Sequence, residues 1–172
     1  IEPVPFTSVK VTDHFWATKI LTNYKVTIPI AIQQCYMTGR VDNFKVAGKL
    51  KEGKFATEYP FDDTDIYKLI EAASFSLQNI PDSLLEAQLD TLIFYVGLAQ
   101  EADGYLYTNR TIDSVNTRPW AGLVRWVNDP QYSHELYNCG HLYEAAVAHY
   151  QATGKKTLLN IAEKNAALLL KD

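Results

Sequence analysis

The sequence lacks the features that mark disulfide-rich proteins, membrane proteins and nucleic-acid-binding proteins. It contains two cysteines, Cys35 and Cys139, which lie far apart in the 172 residues and form no CxxC or Cys/His spacing. This arrangement excludes a disulfide framework. No run of about 18 apolar residues is present, so a membrane-spanning helix is not expected. The 16 lysines and arginines are scattered and outnumbered by 20 acidic residues, which makes nucleic acid an improbable partner.

What the sequence does have is a globular composition that is rich in aromatic residues. It is 47% hydrophobic and 21% charged, which is enough to bury a core. Aromatic residues make up 12% of the chain, and they can build a core or stack against a sugar ring. Strand-like alternation is short and isolated, so the pattern predicts an all-α protein.

The spacing of apolar residues predicts five main helices and the segments between them. Residues 1–14 read as an extended lead-in containing Pro3 and Pro5, and residues 105–131 read as a long loop containing Pro119 and Trp120. A short helical piece is expected at 42–48. The five predicted helices are Phe15–Met37, with Asp13 as N-cap and a kink or break at Pro29; Thr64–Asn79, capped near Asp62 or Asp63; a helix opened by Pro81 and Asp82 that runs to about Ala102; a helix from Ser133 or Glu135 to near Gly154; and Lys155–Lys171.

An internal repeat indicates how these helices assemble. Residues 66–88 align with residues 139–163, and each copy reads as helix, tight turn, helix, with Glu-Ala-Ala at matching places. Repeated helical hairpins are typical of an α/α toroid, in which the first helix of each hairpin would lie inside. A closed (α/α)6 barrel needs about twelve helices. We therefore expect residues 15–172 to form part of an (α/α)6 barrel that is incomplete in this chain.

The stretch YSHELYNCGHLYEAA, residues 132–146, could be a metal site, a catalytic centre or one wall of a pocket. Helical spacing places His134, Asn138 and His141 on one face. The two histidines would be about 10 Å apart along the axis, too far to share a metal ion. The H-E-x-x-H zinc motif is also absent. No metal site is predicted here, and His134, at a helix N-terminus beside the long loop, is the leading ligand-binding candidate.

Other polar residues allow two interpretations each. Glu71 and Glu144 could form the carboxylate pair of a glycoside hydrolase, but a shared structural role in inter-helix hydrogen bonding is favoured. Cys139 reads as a small buried hydrophobe, and His149 as a hydrogen-bonded structural histidine. Residues 61–65, FDDTD, have more carboxylates than a helix cap needs and are a candidate ligand site.

Asp103-Gly104-Tyr105 is expected to form a left-handed turn at Gly104 that directs Tyr105 towards the opening of the barrel. Simple loop scaffolding is the alternative.

Three segments together resemble a known enzyme family. They are YPFDDTDIYKLIEAASFSL, AQEADGYLYT and YSHELYNCGHLYEAAVAHYQATGKKTLLNIAEKNAALL, which occur in the family's order and spacing. The S-H-E-x-Y-x-x-G-H-x-x-E-A-A-x-A string is the most specific part. With these motifs the chain resembles the N-terminal part of glycoside hydrolase family 127, the β-L-arabinofuranosidases and their relatives, from about Val9 to Asp172.

The resemblance implies an (α/α)6 barrel followed by β-sandwich domains, and a retaining hydrolysis. The implied nucleophile is a cysteine thiolate held on zinc by further cysteines and a glutamate, with another glutamate as acid/base. In the family's order all of these residues come after Asp172. We therefore expect zinc as a cofactor of the whole protein, but neither a catalytic residue nor a metal ligand in this segment.

The resemblance also implies a set of substrate-binding residues in this sequence. The histidine of S-H-E-x-Y, which lines the sugar pocket in the family, falls on His134. His141, Asp65, Tyr105 and Asn43 are further candidates for the same wall.

The favoured function is part of a retaining exo-glycosidase that releases terminal β-L-arabinofuranose-type sugars from plant glycans. The alternatives are a relative acting on another rare or acidic pentose, and a non-catalytic carbohydrate-binding helical module. We expect the 172 residues alone to be inactive, with an oligosaccharide and the remainder of the barrel as partners. The absence of a visible leader is also what a processed chain would show, and a periplasmic or secreted location is expected.

Overall fold

The computed structural model describes residue 2, residues 4–115 and residues 121–171. Pro3, Pro119, Trp120 and Asp172, which entered the sequence predictions, lie outside these residues. Within them the fold is entirely helical, as expected, and contains no strand. The eight α-helices are α1 (Trp16–Thr22), α2 (Ile28–Met37), α3 (Arg40–Ala47), α4 (Asp63–Asn79), α5 (Ser83–Ala99), α6 (Thr108–Ile112), α7 (Glu135–Thr153) and α8 (Thr157–Leu169).

Helices α1 and α2 are joined by a π-helical turn, Asn23–Thr27, rather than broken at Pro29. The Ile28 N–H donates to the Asn23 carbonyl, the wider spacing of a π turn, and the backbone stays right-handed throughout. Proline lacks an N–H, and its ring needs room beside the preceding turn, which the π turn provides. The Asp13 carboxylate accepts from the N–H groups of Phe15 and Trp16 at 2.8 and 2.6 Å, so it makes the capping hydrogen bonds that were predicted, although Phe15 occupies the N-cap position and α1 begins at Trp16.

The two predicted hairpins are present as α4–α5 and α7–α8. The Asp82 carboxylate caps α5 by accepting from the N–H groups of Leu84 and Leu85, at 2.8 and 3.2 Å, and α7 ends at Gly154 in the left-handed conformation. α5 stops at Ala99, three residues before the predicted end. Asp62 occupies the N-cap position of α4 without a capping hydrogen bond.

Packing of the two leading helices forms the centre of the fold. α4 makes its most extensive contact with α7, as the repeat predicts for helices of one ring. Ala73, Ala145 and Ala146 are fully buried, so small side chains allow this close approach. The surrounding core combines aliphatic and aromatic side chains from α2 to α8, the largest of them Ile28, Phe44, Ile66, Tyr67, Ile70, Leu89, Leu92, Ile93, Leu142 and Leu158.

The segment predicted as one long loop contains regular structure in its described parts. It includes the short helix α6 and a second π-helical turn, Asp129–Ser133. A separate small core holds it down through Tyr105, Tyr107, Ala121 and Leu168. At Gly104, where φ is +106°, a Cβ would lie 2.4 Å from the Lys164 carbonyl oxygen, so the predicted left-handed turn requires glycine.

The lead-in is not wholly extended, because Phe6–Ser8 form a 3₁₀ turn. The ring of Phe6 packs edge-to-face on Phe75 of α4, with centroids 4.7 Å apart. The N-terminal segment therefore covers the C-terminal part of α4.

One face of the helical array remains open. A groove of about 530 Å³ runs between the α1–α2 helix and α4, lined in part by Thr27, Ile28, Ala31, Leu69 and Ala72. Among the described residues, no helix combines the length and apolar character needed to cross a membrane.

Candidate functional site

A row of aromatic and imidazole rings runs from the start of α4 along α7. Centroid distances are 4.7 Å for Phe61–His134, 6.2 Å for His134–Tyr137 and 4.5 Å for Tyr137–His141. Tyr137 is 49% exposed and the two histidines are half-buried. The structure therefore brings the two histidine candidates onto one accessible surface and places Tyr137 between them.

Tyr137 takes the place that helical spacing assigned to Asn138. His134 precedes α7 in a left-handed backbone conformation (φ 52°, ψ 36°), so the direction of its side chain does not follow the helical spacing of α7. Asn138 is buried and its side-chain amide donates to the His134 carbonyl at 2.9 Å. Sequence reasoning missed Tyr137, although it lies four residues before His141 and helical spacing therefore places the two side chains on one face of α7.

Lys68 of α4 lies beside this row. Its Nζ donates to the Tyr137 hydroxyl at 2.7 Å and lies 4.7 Å from the centroid of the ring. One turn earlier on α4, the half-exposed Asp65 is paired with Arg40 of α3. Lys68 and Tyr137 thus place an ammonium group and a phenol between α4 and α7, where both can hydrogen-bond to sugar hydroxyls. Asp65 instead lines the groove between α2 and α4.

Tyr105 and Asn43, the other two candidates, are buried away from this surface. Tyr105 is fully buried and its hydroxyl donates to Glu135, so the expectation that it turns towards the opening is wrong. The Asn43 side chain accepts from the Ala56 N–H at 2.7 Å and donates to Thr57 at 3.2 Å. Both residues hold loops in place from the interior.

The remaining carboxylates of FDDTD are structural. Asp62 is buried and forms an ion pair with Arg40 at 3.3 Å. Asp63 accepts from the Thr108 N–H and hydroxyl, at 2.7 and 2.5 Å, and so ties α4 to α6. Burial raises the pKa of Asp63 to about 7, against the opposing effect of these two hydrogen bonds.

Glu71, His141 and Glu144 meet between α4 and α7. One potential ligand atom from each lies within 4.8 Å of the others, and His141 Nδ1 is 3.2 Å from the Glu144 carboxylate. The pKa of Glu71 is raised by its burial and by the charge of Glu144, and lowered by His141. The inter-helix hydrogen bond expected of the two glutamates is not formed among the described residues. Glu144 is exposed, and exposed acidic groups commonly meet without an ion between them, so this geometry alone does not indicate a metal site.

Neither thiol suits a zinc ligand or a nucleophile. Burial raises the pKa of Cys35 to about 11 and that of Cys139 to about 12, so both are protonated at neutral pH. They lie on different helices, α2 and α7, and both are buried.

His149 is buried, and the expectation that it is hydrogen-bonded is wrong. Its two ring nitrogens find no hydrogen-bond partner in the described part of the chain. Burial lowers its pKa and so favours the neutral ring.

Comparison with known proteins gives consistent matches. Residues 8–171 match a family described as β-L-arabinofuranosidase, GH127 catalytic domain. A non-reducing end β-L-arabinofuranosidase of Bifidobacterium longum subsp. longum is 40% identical over 129 residues, which is 75% of this chain and 19% of that protein.

Two solved structures are similar over nearly the whole chain. A GH127 β-arabinofuranosidase aligns with a TM-score of 0.93 and 49% identity, over 99% of this chain and 27% of its own. A GH127 β-L-arabinofuranosidase from Geobacillus stearothermophilus T6 aligns with a TM-score of 0.85 and 34% identity, over 94% of this chain and 25% of its own. These relatives are (α/α)6 barrel enzymes, so the helices described above form part of such a barrel. The chain spans about a quarter or less of their length.

Proposed function

The chain belongs to the GH127 β-L-arabinofuranosidase catalytic-domain family, and from this we propose that it is part of a retaining exo-glycosidase acting on terminal β-L-arabinofuranosides of plant glycans. The observation that carries the proposal is the row formed by His134, just before α7, and by Tyr137 and His141 on α7. It offers imidazole and phenol groups on an accessible surface, beside the loop that precedes α7. A terminal sugar ring can stack on such a surface and exchange hydrogen bonds with its edges.

In this proposal the chain binds and orients the sugar, and other parts of the protein supply the reacting groups. The family resemblance implies a zinc-bound cysteine nucleophile and a glutamate acid/base. When bound, zinc would keep a ligating thiol deprotonated at neutral pH. Cys35 and Cys139 do not fit this role because both are buried, protonated and on separate helices.

The open groove beside α4 fits the same proposal. Thr27, Ile28, Ala31 and Leu69 line it, and an isolated surface of this character favours association. In an (α/α)6 barrel the first and last hairpins are neighbours, because the ring closes on itself. We propose that the remainder of the barrel covers the groove in the whole protein.

Hydrolysis of p-nitrophenyl β-L-arabinofuranoside by the whole protein tests the function, with the α-anomer as the control substrate. We expect turnover of the β-anomer only, and NMR should detect β-L-arabinose as the first product, as retention requires. Metal analysis should find about one zinc per chain.

Two comparisons complete the test. His134→Ala should lower kcat/KM by at least about tenfold, as the loss of a hydrogen bond to substrate predicts. The 172 residues alone should not turn over substrate. Saturable binding of L-arabinose by a whole protein that lacks turnover would instead support a carbohydrate-binding module.

A further inference from the structure

Two residues with a left-handed backbone, Trp126 and His134, lie next to one buried carboxylate, that of Glu135. Lys49, Trp126 and His134 are the non-glycine residues with positive φ in the described part of the chain. His134, at φ 52°, immediately precedes Glu135, and the N–H of Trp126, at φ 68°, donates to the Glu135 carboxylate at 2.9 Å. Left-handed backbone is unfavourable for residues with a Cβ and persists only where the surroundings hold it.

Glu135 is well placed to hold both residues. It is 1% exposed, and its carboxylate accepts hydrogen bonds from the hydroxyls of Tyr105 and Ser133, the latter at 3.0 Å. Arg110 Nε lies 4.0 Å away and balances the charge. With the Trp126 N–H, three hydrogen-bond donors and one cation converge on a single side chain.

Further hydrogen bonds hold the residues around the Glu135 carboxylate. Arg110 donates to the carbonyls of Ala121 and Gly122 at 3.1 and 2.8 Å, which holds the segment before Trp126. The Tyr107 hydroxyl donates to the Ser133 carbonyl at 2.8 Å. The peptide group on the N-terminal side of His134 therefore has a hydrogen-bond partner of its own.

The carbonyl of His134 is also held, by the backbone and side-chain amides of Asn138, both at 2.9 Å. The conformation of His134 is thus fixed on both sides, while its ring extends to the accessible row between Phe61 and Tyr137.

We propose that Glu135, together with Tyr105, is a positioning unit that fixes the left-handed backbone of His134 and so aims its imidazole at the substrate. The catalytic consequence of this inference rests on the proposed function. Tyr105 thereby contributes to the site through another residue and does not itself contact sugar. A misplacement of about 1 Å in a substrate-contacting group can cost about 100-fold in rate, so a buried network of this kind affects catalysis from a distance.

The test compares Tyr105→Phe and Glu135→Gln in the whole enzyme with Tyr143→Phe as the matched control. The Tyr143 hydroxyl donates to Asn165 at 2.8 Å, so the control also removes one tyrosine hydrogen bond to a side chain, but at a distance from His134 along α7. We expect kcat/KM to fall about 10- to 100-fold in the two test variants. The control should stay within about twofold of the wild type, since it leaves the His134 backbone in place.

A second readout follows the imidazole itself. The NMR resonances of the His134 ring, assigned by their disappearance in His134→Ala, should shift in Tyr105→Phe and Glu135→Gln and not in Tyr143→Phe. Folded test variants with unchanged His134 resonances and wild-type kinetics would overturn the inference.

The two readouts separate the inference from the proposed function. If the wild-type protein does not hydrolyse the arabinofuranoside, the proposed function fails, and the resonances still decide whether the network positions His134. If Glu135→Gln does not fold, Tyr105→Phe decides alone.

Discussion

Lys68 and Tyr137 join the two leading helices of the repeated hairpins at the accessible surface, with Nζ 2.7 Å from the phenolic oxygen and 4.7 Å from the ring centroid. The contact holds the tyrosine ring between His134 and His141, whose rings meet it edge-to-face. Tyr137 remains 49% exposed despite these contacts, so part of its ring is available to a ligand.

Tyr137→Ala is therefore expected to raise KM for the arabinofuranoside by about tenfold or more, since it removes both a stacking surface and a hydroxyl. Tyr137→Phe should have a smaller effect because the ring remains. Steady-state kinetics measure both. Tyr150→Ala is the control, since Tyr150 is also a half-exposed tyrosine of α7 with a lysine over its ring, and it lies near the far end of the helix. Equal effects at the two positions would contradict a specific role for Tyr137.

The left-handed backbone at His134 predicts which of two variants at this position, glycine or alanine, is the more stable. His134→Gly should be more stable than His134→Ala by about 1 kcal/mol, because glycine adopts positive φ without strain. Both variants should lose most activity. At His141, inside α7, the order should reverse, because glycine is the poorer helix former there. Chemical unfolding of the four variants measures the differences, and the same order at both positions would exclude strain at His134.

The two cysteines are expected to be dispensable for catalysis. Cys35→Ala and Cys139→Ala should keep kcat within a few-fold of the wild type, because both thiols are buried and their pKa values are raised. Removal of zinc from the whole protein by a strong chelator should abolish activity in the wild type and in both variants, and added zinc should restore it. Loss of kcat in Cys139→Ala, in a protein of unchanged stability, would show that this thiol takes part.

The raised pKa of Asp63 predicts that the free energy of unfolding depends on pH. Its pKa is about 7 in the folded protein against an ordinary value of 3.8, so the folded state binds the proton more tightly. The stability that this group contributes is present in full below pH 3.8 and is lost as the pH rises through 7, with a slope of at most about 1.4 kcal/mol per pH unit.

Asp63→Asn should remove this part of the slope between pH 5 and pH 8, and denaturant unfolding at several pH values measures it. Glu163→Gln, an exposed carboxyl of α8, is the control and should leave the slope unchanged. A wild-type slope that persists in Asp63→Asn would assign the pH dependence to other groups.

The helices were predictable where their signals are local. The repeat and its Glu-Ala-Ala strings predicted the neighbouring α4 and α7, and Asp82 and Gly154 marked helix ends, because capping and left-handed turns depend on residues close in sequence. The prediction of one long loop from Tyr105 to Gln131 missed α6 for the opposite reason. Its α6 is held by Asp63, 45 residues away, and no local pattern records that bond.

In the candidate site, too, residues with local signals were predictable and residues positioned by tertiary contacts were not. The two histidines were identified from helical spacing and family resemblance, and the structure brings them together with Tyr137. Tyr105 was assigned to the opening because a turn at Gly104 precedes it, but the direction of its side chain is set by Glu135, 30 residues later in the chain. Side-chain direction depends on tertiary partners that only the folded structure shows.

The π-helical turn at Asn23–Thr27 has a further consequence for the helix that contains it. In an α-helix each residue advances the chain by about 100° around the axis, so a turn holding one additional residue rotates everything on its N-terminal side by that angle. Trp16–Thr22 therefore presents a different face from the one that it would present if an uninterrupted α-helix joined it to Ile28–Met37. Deleting one residue from the turn would keep the segment helical and redirect the whole of α1, so the turn sets the register between the lead-in and the rest of the fold.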